Sequence, residues 1–301
     1  MVETASPTRR DELQGHVAML LFACFVAGSF SLGGRIANDI DPSALTAARF
    51  LLTTIALGAA AWGAGQLNRQ AFRASWRYLV LGALYGGYFV LMFEGLQTAS
   101  PVSMAAVFTL TPVMAAAFGF LILRQVLTPW MALALAVGAL GAMWVIFRGD
   151  WNALISMQVG RGEAIFLIGC IFHALYIPLV PKFSRGEGLF AFAAGTSFGG
   201  MLVVGLYGAG SIVQTDWGAL PSQVWVTLTY LVIFASAASI TLVQFASRRL
   251  KAAKVMAYTY LVPAWVVGWE VARGATLPAL AILMGMALIV GSLLILLRDP
   301  A

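Results

Sequence analysis

Ten long apolar segments, separated by short polar stretches, run through the chain. Most hold about 20 residues, which is enough for a helix to cross roughly 30 Å of hydrocarbon. None shows the strict alternation of polar and apolar positions that is typical of a membrane barrel, so the pattern predicts transmembrane helices. The segments are Val17–Ile36, Ala44–Ala64, Tyr78–Leu96, Val102–Leu123, Trp130–Phe147, Ala164–Val180, Leu189–Ser211, Val224–Ala246, Val255–Ala272 and Leu277–Leu297.

Composition supports this interpretation and adds an orientation. The 301 residues are 61% hydrophobic and 10% charged, with a mean hydropathy of +0.89, which lies far outside the soluble range. The net charge of +6 comes from residues in short loops beside the segments, so it indicates topology and not nucleic-acid binding. With a cytoplasmic N-terminus, 13 of the 18 Lys and Arg residues fall on the cytoplasmic side, four fall on the other, and Arg49 lies within a segment. Both termini are therefore expected in the cytoplasm.

An internal repeat relates the two halves of the chain. When Pro112 is placed on Pro263, Ala106 falls on Ala257 and Leu110 on Leu261. Each half then holds five segments, and an odd number gives the halves opposite orientations. The sequence predicts an all-α membrane protein of ten transmembrane helices, built as two inverted-topology five-helix repeats. Its divisions are a cytoplasmic tail at 1–13, a first repeat at 14–150 and a second at 151–301.

Two small-residue motifs predict close helix crossings. They are Gly82-x-x-x-Gly86 and Gly195-x-x-x-Gly199, and such spacing lets helix backbones approach closely inside a membrane. We interpret both motifs as packing features.

Several stretches resemble a known repeat. Residues 42–52, 99–112 and 127–129 are similar to motifs of the EamA repeat, and residues 162–176 resemble the opening of a second one. The resemblance covers about 14–150 and 161–298 and points to the drug/metabolite transporter superfamily. It implies a multi-pass protein of the bacterial inner membrane, similar to ten-helix exporters of amino acids, including aromatic ones. Gln125 departs from the family pattern, which has a glutamate after the fourth helix.

One titratable residue and two prolines lie near the middle of their segments. His173 is expected either to line a substrate cavity or to serve as a structural histidine bonded to a neighbouring helix. Pro112 and Pro263 each remove a helical hydrogen bond and free a carbonyl, that of Phe108 or of Thr259. Paired interruptions in inverted repeats indicate a transport site, so both prolines are predicted hinges.

Polar and aromatic side chains near these positions form the predicted substrate cavity. Each could instead pack between helices or, near a segment end, sit in an interfacial belt. With His173, the set comprises Tyr85, Tyr88, Thr109, Tyr176, Ser239, Gln244, Tyr258, Tyr260 and Trp265.

Charged residues near segment ends suggest an outer gate. Arg49, Glu94 and Glu270 lie within a few residues of the external ends of their segments. Glu270 and Arg273 are three residues apart on one helical face. They are expected to form an ion pair that closes the outer vestibule or to act as interfacial anchors.

The expected function is that of an alternating-access carrier that exports small metabolites. When depth is counted from the segment ends, no Lys, Arg, Asp or Glu lies near the middle of a segment. A site without such charges favours a small zwitterion or weakly polar substrate over a multiply anionic one. Export of drug-like or aromatic cations is the alternative, and a channel or scaffold is a further one. No catalytic or metal-ligand pattern occurs, so we expect no enzyme activity, metal or cofactor. The predicted partners are a small-molecule substrate and the lipid bilayer, with the protein as a monomer and no nucleic acid bound.

Overall fold

A computed structural model describes residues 9–69, 71–155, 158–247, 249, 255 and 258–297, except for the side chains of Arg9, Gln244 and Ser247. All regular structure within these ranges is helical, which confirms the predicted fold class. Nine of the described helices are long and apolar enough to cross a membrane. We number the spans 1–10 in chain order, span 9 being a shorter helix whose preceding residues are only partly described.

The bounds are as follows. Spans 1, 2 and 3 are Arg9–Ile36, Pro42–Gly63 and Trp76–Leu96, and span 4 is divided into Pro101–Phe108 and Thr111–Leu123. Span 5 is Pro129–Ile146, a short helix follows at Trp151–Ile155, and spans 6 and 7 are Arg161–Phe183 and Leu189–Tyr207. A short helix at Ala209–Gln214 precedes span 8, which consists of Ser222–Val232, a π-helical segment Ile233–Ala238 and Ser239–Ser247. Span 9 is a 3₁₀ turn Tyr258–Leu261 with helix Val262–Ala272, and span 10 is Leu280–Leu297.

Polar caps explain why several helices start before their apolar segments. The side chains of Asp41, Ser100 and Thr128 each accept backbone N–H groups of the first turn that follows, and each precedes a proline at the first helical position. Span 2 therefore begins at Pro42, two residues earlier than apolarity alone indicated. The predicted seventh segment also ends early, because the chain turns at Gly208 into a separate short helix.

Packing follows the expected inverted repeat. Span 3 packs on span 6, and its counterpart, span 8, packs on span 1. Span 4 likewise contacts spans 5 and 6, while span 9 contacts spans 10 and 1. Spans 2 and 7 are counterparts in the two repeats, as are spans 5 and 10, and the two members of each pair contact each other extensively. These contacts of one half thus have their equivalents in the other.

The two glycine motifs meet at a single crossing. A Cβ atom on Gly82 would lie 2.2 Å from the backbone nitrogen of Gly200, and one on Gly199 would lie 2.1 Å from the carbonyl oxygen of Tyr78. Spans 3 and 7 therefore touch backbone to backbone, which confirms the interpretation of these motifs as packing features.

Spans 4 and 9 are interrupted at matching places. Pro112 is the second residue of the helix Thr111–Leu123, and Pro263 is the second residue of the helix Val262–Ala272. Leu110 and Leu261 precede these helices with nearly equal backbone angles, φ −77° and ψ −18° against φ −82° and ψ −12°. The fourth predicted segment is thus divided into two helices at the predicted kink, because proline lacks the N–H that the preceding turn would need.

Candidate functional site

Four predicted cavity residues come together between spans 3 and 6. We call Tyr85, Tyr88, His173 and Tyr176 the aromatic cluster. The ring centroids of Tyr88 and His173 are 4.6 Å apart, and those of Tyr85 and Tyr176 are 4.9 Å apart, with each pair stacked. The two residues on each helix are three positions apart, so they share a helical face. The cluster presents stacked aromatic faces with three hydroxyls and one imidazole.

The interrupted span 4 adjoins this cluster. Phe108 is the last residue before the break, and its ring centroid lies 5.7 Å from that of His173. A bend at Thr109 and Leu110 would therefore move a side chain that contacts the cluster.

Polar atoms of the cluster are available to a ligand. The Nδ1 atom of His173 is buried and has no hydrogen-bond partner in the described part of the chain. No hydrogen bond joins the hydroxyls of Tyr85, Tyr88 or Tyr176 to another described group. Tyr85, His173 and Tyr176 also keep intermediate exposure. These side chains can bind a small molecule without first breaking a protein hydrogen bond.

Arg49 lies beside the aromatic cluster. The helix starts at Pro42, so Arg49 is about 10 Å along span 2, deeper than its count within the apolar segment suggested. It is 1% exposed, and its guanidinium carbon stands 3.7 Å from the ring centroid of Phe89. The Phe89 ring is 4.7 Å from both Tyr85 and Tyr88. A cation therefore adjoins a site that the sequence indicated was free of charge.

A π-helical segment supplies a hydrogen-bond partner for Arg49. The Nε and Nη2 atoms of Arg49 donate to the Ser236 hydroxyl at 3.4 and 3.1 Å. That hydroxyl donates in turn to the carbonyl of Leu231, five residues earlier, at 2.9 Å. The remaining terminal nitrogen, Nη1, is buried and has no hydrogen-bond partner among the described residues. The apolar pattern of span 8 gave no signal for the π segment, and therefore none for Ser236.

Two other predicted cavity residues use their hydroxyls within their own helices. Thr109 donates to the carbonyl of Ala106 at 2.6 Å, and Ser239 donates to that of Phe234 at 2.8 Å. The side chain of Gln244 lies outside the described residues.

The predicted residues of span 9 point elsewhere. The hydroxyl of Tyr258 is 2.7 Å from Nδ1 of His16, in a separate group of buried residues near the start of span 1. Tyr260 is buried in the contact of spans 5 and 10, so close to Gly138 that a Cβ there would be 2.6 Å from its ring. Trp265 is 37% exposed. This conformation does not bring these three to the aromatic cluster.

The predicted outer-gate residues do not form one group. Glu270 pairs with Arg273 at 3.2 Å, accepts a hydrogen bond from Ser31, and so ties span 9 to span 1. The carboxylate of Glu94 is half-buried and has no hydrogen-bond partner within the described ranges. Arg49 faces Ser236 instead of a carboxylate.

A buried ion pair joins the start of span 3 to the loop after span 6. Arg77 and Glu187 are 2.5 Å apart, and their side chains are 1% and 0% exposed. Burial raises the pKa of the Glu187 carboxyl, but hydrogen bonds from the Arg185 backbone and Arg77 outweigh it and hold that pKa below its usual range. Sequence reasoning counted Arg77 only as a topology signal, because a loop gives no indication of burial.

Comparisons with known proteins agree with this architecture. The model of the EamA-like transporter family matches twice, over residues 13–147 and 160–298. The protein called uncharacterized transporter YyaM of Bacillus subtilis (strain 168) is 23% identical over 283 residues, which cover 92% of each chain. A solved crystal structure superimposes with a TM-score of 0.68 at 19% identity, covering 95% of this chain and 96% of that one, and so shares the fold. Because the family model covers both halves, the chain belongs to the EamA-like transporter family.

Proposed function

We propose that this membrane transporter exports small metabolites from the cytoplasm by alternating access, and that its substrates include amino acids with aromatic side chains. The observation that carries the proposal is the aromatic cluster, where four ring side chains with free polar atoms stand beside the break in span 4. Their faces suit an apolar or aromatic side chain. Hydroxyls and an imidazole suit the polar end of a small molecule.

The paired interruptions support the alternating-access part of the proposal. Spans 4 and 9 occupy equivalent positions in the inverted repeat, and each has its proline directly after a distorted turn. Exchange of shape between the halves would expose a fixed site to either side in turn. Pro112 and Pro263 act as hinges, and the protein works as a monomer in the bacterial inner membrane with both termini in the cytoplasm.

Export of aromatic cations is the second candidate. Stacked rings attract quaternary or protonated amines through cation–π contacts, and the cluster offers several such faces. Competition between an amino acid and an aromatic amine for the same flux separates the two functions.

The test is counterflow of labelled L-phenylalanine in proteoliposomes. Saturable exchange identifies a carrier and argues against a channel. Tyr85→Ala and Tyr176→Ala should lower the initial rate at least about tenfold, since each removes a wall of the site. Tyr207, which is 79% exposed, gives a matched control, and Tyr207→Ala should leave the rate unchanged. Equal rates in all three variants would refute a site at the cluster.

Downhill export and proton coupling predict different effects of pH. His173 is the only side chain of the cluster that normally titrates near neutral pH. If a pH gradient accelerates export and His173→Ala abolishes that acceleration, coupling runs through His173. Unchanged gradient dependence in the variant eliminates this role, and wild-type export without gradient dependence identifies the downhill mode.

A further inference from the structure

Arg49 carries a buried charge for which the described residues supply no counter-ion. The described residues contain two ion pairs, Arg77 with Glu187 and Arg273 with Glu270, and Arg49 belongs to neither. Arginine stays protonated in proteins, so a fully buried guanidinium keeps its charge. A buried charge is strongly unfavourable unless it is paired. The electrostatics of this site therefore favour binding of an anion.

The contacts of Arg49 compensate the charge only in part and leave one edge free. Ser236 accepts two of its hydrogen bonds through a neutral oxygen, and Phe89 covers the guanidinium face. Nη1 is buried and has no partner in the part of the chain that the structure describes. Because the Ser236 hydroxyl donates to Leu231, its lone pairs face Arg49 and fix the guanidinium in this orientation.

The guanidinium of Arg49 lies close to the aromatic cluster. The guanidinium carbon stands 3.7 Å from the Phe89 ring centroid, and that ring contacts Tyr85 and Tyr88 at 4.7 Å each. A small molecule stacked in the cluster could therefore reach Nη1 with its polar end.

We propose that Arg49 binds the carboxylate of the substrate and thereby selects carboxylate-bearing molecules over aromatic cations. This inference rests on the proposed function, because it places the substrate in the aromatic cluster. Ser236 and its π-helical segment act as positioning elements. A hydrogen bond between charged groups contributes about 1.5–3 kcal/mol, so loss of this contact should weaken binding roughly 10- to 150-fold.

The first experiment compares two ligands that differ only at the acid group. Calorimetric titration of the purified full-length protein with L-phenylalanine and L-phenylalaninamide should give at least about tenfold tighter binding of the amino acid. Arg49→Gln should remove this preference by weakening the amino acid alone. Arg49→Lys, which keeps a positive charge, should retain part of it, and Ser236→Ala should reduce it. An equal loss for both ligands in Arg49→Gln, or a wild-type preference for the amide, would overturn the proposal.

A second experiment does not depend on the aromatic part of the substrate. In a spectrum of protein labelled with ¹⁵N-arginine, the Nε–H signal of Arg49 is the one absent from Arg49→Lys. Saturating propionate should shift that signal and propionamide should not. If neither phenylalanine ligand binds but propionate shifts the signal, the proposed amino-acid function fails while the anion site stands. A signal that propionate leaves in place overturns the anion site itself.

Discussion

The buried ion pair of Arg77 and Glu187 gives the sharpest prediction about stability. Besides its 2.5 Å contact with Glu187, Arg77 donates to the carbonyls of Ala74 at 3.1 Å, of Arg73 at 2.7 Å, and of Phe183. One side chain thus ties the start of span 3 to the end of span 6 and to the following loop. We expect Glu187→Gln and Arg77→Ala to loosen all three.

The contacts set the size of each effect. Breaking a buried pair typically costs about 3–5 kcal/mol, because an uncompensated charge stays behind. In Glu187→Gln the guanidinium keeps three carbonyl acceptors and gains an amide oxygen, so we expect a loss at or just below the low end of this range, about 2–3 kcal/mol. Arg77→Ala leaves Glu187 with the backbone N–H groups of Arg185 and of Glu187 itself and frees three carbonyls, so the full ~3–5 kcal/mol applies.

The assay is reversible unfolding in mixed micelles titrated with a denaturing detergent. A double-mutant cycle should give a coupling of about 1–3 kcal/mol between the two side chains. Arg69→Ala, an exposed arginine of the loop before span 3, is the control and should change stability by less than about 0.5 kcal/mol. Single-mutant losses as small as the control's, with no coupling, would refute the reasoning.

Three further predictions follow from described contacts. Gly199→Ala should destabilise by about 1–3 kcal/mol, because its Cβ meets the span 3 backbone; Gly205→Ala, in the same helix with open space, should be neutral or stabilising by up to about 1 kcal/mol in the same assay. Pro112→Ala and Pro263→Ala should slow counterflow severalfold with little change in substrate affinity, and equal rates would argue against hinges. Because the pKa of Glu187 is lowered in the folded protein, its ionised carboxylate stabilises the fold fully above the ordinary carboxyl pKa range. This stabilisation is lost as pH falls through the lower pKa of the folded state, so acid should destabilise wild type more than Glu187→Gln.

Helix positions and the central cluster could be predicted from the sequence because they depend on local patterns. Apolar length locates the spans, and a spacing of three places Tyr85 with Tyr88 and His173 with Tyr176 on shared faces. Both proline interruptions also follow from chemistry within one helix.

Side-chain direction could not be predicted in the same way. The helices are apolar nearly all round, so their patterns do not show which face meets which neighbour. Tyr260 lies in the middle of its segment yet packs against spans 5 and 10, and Tyr258 meets His16 on span 1. Arg49 lies further along its helix than apolarity indicated, since the cap at Asp41 starts that helix at Pro42.

The π-helical segment Ile233–Ala238 makes the two halves unequal. Span 3, the counterpart of span 8, is α-helical from Trp76 to Leu96, whereas span 8 is π-helical over Ile233–Ala238, where the side-chain hydroxyls of Ser236 and Ser239 donate to carbonyls five residues earlier. A π turn holds one residue more than an α turn, which shifts the following side chains by about 100° around the axis. Suppose that each half adopted the backbone of the other half. Span 8 would then lack the π turn, the side chains at its end would rotate about the helix axis, and Ser236 would separate from Arg49. Under the proposed alternating-access mechanism, the two end states would therefore differ at Ser236, the residue that orients the buried charge of Arg49.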